Sequence, residues 1–171
     1  KRDPRELQAA QPNLFLNETK LANAFQRLGE LKQVAFRGGE PSLHPDFGNL
    51  LRVASQSAIE VIVETHGRWL LKDSEQRRIL IEALQQASAV VKISFDPMHG
   101  LSTSQLLTAT RVLDQHSISW LVAITVEDQA RFAEIRILIP EVPADQTVFQ
   151  ALASTDDGLI RPEFGVVHVD G

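Results

Sequence analysis

With 171 residues, 43% of them hydrophobic, the chain has enough apolar side chain to bury a core, and its size fits one domain or part of a larger one. A formal net charge of -5 with dispersed basic residues disfavours nucleic acid as a partner. No apolar run reaches the roughly 20 residues of a membrane span or forms the centre of a signal peptide, so a cytoplasmic location with no membrane partner is the simplest expectation. Cysteine is absent, which excludes disulfides and any thiolate-held zinc or iron-sulfur site within these residues. The first residue is Lys1 rather than methionine, and we expect a fragment.

The predicted elements begin with "NETKLANAFQRL", residues 17–28. Leu21, Phe25 and Leu28 fall at helical steps, Asn17 is placed to accept from the first free amides, and Gly29 stands just past the end. "QVAF" then reads as a short buried strand running into glycines. "HPDFGNLLRVASQS" reads as a second helix, with Asp46 as N-cap, Leu50, Leu51 and Ala54 on one side, and Gly48 weakening it by about 1 kcal/mol. "IEVIVETHG", rich in β-branched residues, is a strand of a buried sheet.

In "DSEQRRILIEALQQA" Asp73 and Gln76 have capping-box spacing, and Ile79, Leu80, Ala83, Leu84 and Ala87 trace a helical stripe. "AVVKISFD" is a strand, "STSQLLTATRVLDQH" a helix opened by Ser102 and Gln105, and "ISWLVAITV" another strand. Residues 128–138 read as a helix with Ala130, Ala133 and Ile137 apolar, stopped by Pro140 and Pro143, and "TVFQALA" is a last strand. We expect one α/β domain over residues 1–153 and an irregular C-terminal segment over 154–171. About five strand-helix alternations imply mostly parallel strands with right-handed crossovers, in a doubly wound sheet or a barrel. Ligands of either architecture bind at the carboxyl ends of the strands, which here are "RGGEP", "ETHG", "SFDPMHG" and "TVEDQ".

In "RGGEP" two glycines remove both Cβ atoms, so a ligand can approach the backbone at hydrogen-bonding distance. Bare carbonyls with the carboxylate of Glu40 beside them suit a cationic donor such as an ammonium group, whereas a phosphate would prefer amides without an acid. The bland reading is a tight turn with a solvated glutamate.

Taken together, the helix, the short strand, "GGEP" followed by "LHPDF", the strand ending "THG" and the strand ending "SFD" resemble the radical S-adenosylmethionine family from about residue 17 to residue 150. The resemblance implies an incomplete (β/α) TIM-type barrel, with residues 1–153 a partial core domain. It implies that Gly38, Gly39, Glu40 and Pro41 match the motif that holds the amino group of the cofactor's methionine part. Thr65, His66 and Gly67 stand where the family often has Thr-Asn-Gly; Thr65 could offer its hydroxyl to the cofactor or be an ordinary strand-end threonine. Ser94 and Asp96 fit the positions near the ribose hydroxyls. Flanked by Ile93 and Phe95, Ser94 points to the opposite face from them, as a ligand contact or a satisfied core hydroxyl, and Asp96 either approaches the ribose or caps the turn before Gly100.

His44, His66, His99, His116 and His168 lack the spacing of a zinc site and read as polar loop residues, with His66 and His99 at strand exits where a substrate could touch them. No Gly-x-Ser-x-Gly elbow, phosphate loop or dinucleotide fingerprint appears. The family also holds a [4Fe-4S] cluster on a Cys-x-x-x-Cys-x-x-Cys loop after its first strand, and this chain has neither. The non-methionine start and the missing strand favour a cysteine loop upstream over its loss. An intact enzyme of this kind would use S-adenosylmethionine, the cluster and an electron donor to form a 5'-deoxyadenosyl radical that takes hydrogen from a small-molecule or peptide substrate. The alternative is a catalytically silent domain that binds the cofactor or serves as a scaffold.

Overall fold

The computed structural model describes residues 16–96, 100–154 and 160–162. Six strands form one sheet in the order of the chain: β1 (Leu31–Phe36), β2 (Ala58–Thr65), β3 (Val90–Ser94), β4 (Trp120–Val126), β5 (Thr147–Ser154) and β6 (Ile160–Pro162). The first five are parallel, and β6 pairs antiparallel with β5. Each parallel step is bridged by a helix: α2 (Phe47–Ser57), α3 (Glu75–Gln86), α4 (Thr103–Gln115) and α5 (Gln129–Leu138), with α1 (Glu18–Leu28) ahead of β1. A doubly wound sheet reverses its strand order at one point. Here every right-handed crossover steps the same way, which stacks the helices on one face and gives the strand order of a barrel arc.

Burial follows from that placement. Val61, Val63, Val91 and Ile93 point under the helices and are almost inaccessible, while their neighbours Ile62, Glu64, Lys92 and Ser94 on the other face are only half-buried. Leu50, Leu51, Leu84, Leu106 and Leu113 meet them from the helical side, each contributing roughly 1.5–3 kcal/mol by leaving water. Gly48 has a local reason: a Cβ there would lie 3.5 Å from Cβ of Ala83, so α2 and α3 pack almost backbone to backbone. No helix among the described residues is long and apolar enough to cross a membrane.

Helix ends are set as the sequence suggests in two cases. Asn17 Oδ1 accepts from Lys20 N at 3.0 Å, and Ser102 with Gln105 makes a complete capping box. Elsewhere the expectations need correction. Asp46 occupies the N-cap position of α2, but its ψ of 25° is not extended and its side chain makes no capping bond. The cap of α3 is Ser74, whose Oγ accepts from Arg77 N at 3.1 Å; Asp73 instead pairs with the Arg77 guanidinium, and Gln76 reaches the carbonyl of Ser42.

The expected stripes of α1 and α3 are buried except at one residue each, and that of α5 is rotated. Leu28 and Ile79 are exposed, and α3 buries Ile81 with Leu80 and Leu84. In α5, Ala130, Ala133 and Ile137 face outward while Ile135 is buried and Phe132 packs edge-on against Phe149 at 5.5 Å. β5 runs through Ser154, and Ile160–Pro162 adds an edge strand within the segment expected to be irregular.

Candidate functional site at the strand exits

Parallel strands bring their carboxyl ends to one rim: Phe36, Thr65, Ser94 and Val126 end successive strands there. At the first exit, Gly38 and Gly39 take φ of 87° and 54°, in the left-handed region that favours glycine. Both are exposed, and a Cβ on either would meet no atom of the chain within 4 Å. Their bareness therefore serves backbone conformation and outside access rather than internal packing. Glu40 follows as N-cap of a short 3-10 turn, Pro41–Leu43, with Pro41 buried.

Glu40 is not the solvated acid of a simple turn, because its side chain is 5% exposed. The carboxylate turns inward and accepts from Ser42 N at 3.1 Å, from the Thr65 hydroxyl at 2.8 and 2.9 Å, and from His66 N at 3.0 Å. It thus ties the exit of β1 to the exit of β2. Thr65 Oγ1 in turn accepts from Gly67 N and Trp69 Nε1, each at 3.0 Å. One donor and two acceptor positions are all used, and Thr65 is 3% exposed. The Thr65 hydroxyl thus positions Glu40.

His66 is half-buried at the rim. Its Nδ1 accepts from Arg68 N at 3.0 Å and lies 3.2 Å from Glu40 Oε2. Gly67 has φ of 73° and starts the 3-10 turn Arg68–Leu71; a Cβ there would come within 3.2 Å of Ile93 Cγ2. Two constraints make that glycine necessary, conformation and close packing.

Ser94 lies on the open face as expected, opposite Ala123 of β4, with Ile93 and Phe95 buried on the other side. Asp96 is 6% exposed, and its backbone carbonyl accepts from Gly100 N at 3.3 Å. His44 Nδ1 accepts from Asp46 N in the loop before α2, and His116 ends α4 away from the rim. His99 and His168, with Pro97, lie outside the described residues. A groove of about 750 Å³ runs between α1 and α2 past Phe25 and Val53, in the helical layer rather than at the rim.

Sequence reasoning missed a charged row on the open face. Arg37 Nη2 lies 2.7 Å and Lys92 Nζ 3.3 Å from the same oxygen of Glu64, joining β1, β2 and β3. The signal was present, since "IEVIVET" and "VVKIS" carry charges at alternate positions of strands whose other positions are apolar.

No family model and no curated protein matches the sequence. Among solved structures, native anSMEcpe with bound AdoMet and Kp18Cys peptide superimposes with a TM-score of 0.56 at 17% identity, over 77% of this chain and 41% of that one. Native anSMEcpe with bound AdoMet gives 0.56 and 17% over 80% and 42%. The chain thus spans about two fifths of the length of these structures. The likeness shows the fold alone, an α/β arc of parallel strands, and the present sequence contains no cysteine.

Proposed function

We propose that this chain is the S-adenosylmethionine-binding core of a radical S-adenosylmethionine enzyme acting on a small-molecule or peptide substrate in the cytoplasm. The observation that carries the reading is the exposed left-handed pair Gly38–Gly39 on the rim of the parallel strands, with free space where side chains would stand. Gly38 and Gly39 would present backbone to the methionine end of the cofactor, held in place by Glu40 and Pro41. Ser94 and Asp96 stand two strands away on the same rim for its sugar. Thr65 and Gly67 fix the geometry between them. The chemistry the cofactor supplies is one-electron hydrogen abstraction by its deoxyadenosyl group, with the protein orienting it and excluding water.

The residues present do not fit a [4Fe-4S] cluster. The sequence has no thiolate, and among the described residues no group of three His, Asp or Glu side chains converges. Reduction of the cofactor therefore requires ligands and an electron donor from outside these residues. One observation favours the second reading, a catalytically silent domain: Glu40, the acid expected beside the cofactor's ammonium group, already accepts from Ser42, Thr65 and His66.

Calorimetric titration with S-adenosylmethionine tests the reading. The parent and His116→Ala should bind, and Gly39→Val should not, with circular dichroism and thermal midpoints confirming that all three are folded. Equal affinity for Gly39→Val would reduce "GGEP" to a turn. The longest reading frame containing this chain, reconstituted anaerobically with iron and sulfide, separates the two readings: release of 5'-deoxyadenosine on reduction marks an enzyme, and binding without release a silent domain.

A further inference from the structure

The groove of about 750 Å³ between α1 and α2 has Ala22, Phe25 and Val53 as its apolar lining. Its charged lining is Glu18, Arg52 and Glu30. Glu18 pairs with Arg52 at 2.7 Å where α1 begins, which leaves Glu30, past the other end of α1, as the net charge of the groove. β1 starts at Leu31, just after α1 stops at Leu28, so the Glu18 end lies on the rim side and the Glu30 end on the far side. None of the polar side chains in the lining is buried. A small polar ligand would find no fixed, desolvated partner there, whereas an amphipathic segment of chain laid along two helices needs only the apolar strip and charges at its edges.

Residues 1–15, "KRDPRELQAAQPNLF", join α1 at the Glu18 end through Leu16 and Asn17. Asp3 and Glu6 have capping-box spacing and Pro4 stands at the first helical position, so this sequence predicts a helix from Pro4 that stops at Pro12. Leu7, Ala10 and Leu14 fall at steps of three and four on one side. Residues 12–16 are then a connection of the length used in antiparallel helical hairpins. Eight helical residues extend about 12 Å, and α1 about 16 Å, so the segment reaches most of the way along its neighbour. Laid in that direction, it carries Lys1, Arg2 and Arg5 toward Glu30, and Leu7 and Ala10 over Ala22, Phe25 and Val53.

We propose that residues 1–15 occupy this groove as a helical clasp, antiparallel to α1. Seated so, the clasp covers the helical layer and stays clear of the strand exits. It stands independently of what the rim binds.

The absence of native cysteine makes a single-site label clean. A nitroxide attached to Gln56→Cys, on the edge of the groove, should erase the amide signals of Leu7 and Ala10 in the isotope-labelled full chain, and one on Arg111→Cys of α4 should leave them. Leu7→Glu, which alters only the clasp, and Ala22→Arg, which fills the groove, should each restore the signal of Ala10, with dispersed spectra showing both variants folded. Signals of Leu7 and Ala10 that survive the Gln56→Cys label, or that stay erased in both variants, overturn the proposal. Loss of those signals when unlabelled isotopic chain is mixed with nitroxide-bearing chain makes a second copy the occupant and also overturns it.

Discussion

The hydroxyl of Thr65 lies 2.8 Å from one carboxylate oxygen of Glu40 and 2.9 Å from the other, so the first two strand exits are joined by a shared proton donor. The contact spans 25 residues of sequence and is nearly sealed from water. Thr65→Val keeps the shape of the side chain but leaves Glu40 short of a donor and Gly67 N and Trp69 Nε1 short of an acceptor. A loss of about 3 kcal/mol is expected from those unpaired groups, against less than about 1 kcal/mol for Thr65→Ser. Urea unfolding midpoints at constant slope measure both, and equal midpoints for the two variants would contradict this account.

The rim glycines should respond differently to the same methyl group. Gly67→Ala combines a left-handed backbone with a 3.2 Å approach to Ile93, and is expected to cost about 3 kcal/mol. Gly39→Ala meets open space and should cost about 1 kcal/mol, for backbone conformation alone. Thermal unfolding of the two variants side by side gives the order, and a reversal would mean that the packing at Gly67 is looser than described.

At the start of α3 the cap and the ion pair can be separated. Ser74→Ala removes the acceptor of Arg77 N and should cost about 1 kcal/mol. Asp73→Ala removes a partner of Arg77 whose own side chain is 79% exposed, and solvent screening holds that loss below about 0.5 kcal/mol. Added salt should narrow the gap between Asp73→Ala and the parent while leaving Ser74→Ala where it was.

The alternation of strands and helices was legible because parallel strands covered by helices are written as short β-branched runs, and "VIV" and "VVKI" have few other readings. The glycine pair announced a strand exit for a similar reason, since no other residue tolerates two successive left-handed positions at so little cost. Less visible was the face each helix turns inward. In α5 the sequence offers apolar residues all round, and the winner, Ile135, is set by what β4 and β5 present to it. Likewise, nothing local says that Glu40 folds back onto Thr65 and His66. That partnership depends on the register between β1 and β2, which only the assembled sheet determines.

The bond from Trp69 Nε1 to Thr65 carries an optical consequence. The chain has two tryptophans and no tyrosine, so nearly all of its ultraviolet emission arises from two indoles. Trp120 is 6% exposed and donates to Asp114 at 2.7 Å on the helical side of the sheet. Trp69 donates to the same hydroxyl that holds Glu40. In Trp120→Phe a single emitter would remain, and its wavelength and lifetime would follow the polarity around Glu40 as ligands arrive, without any label being attached.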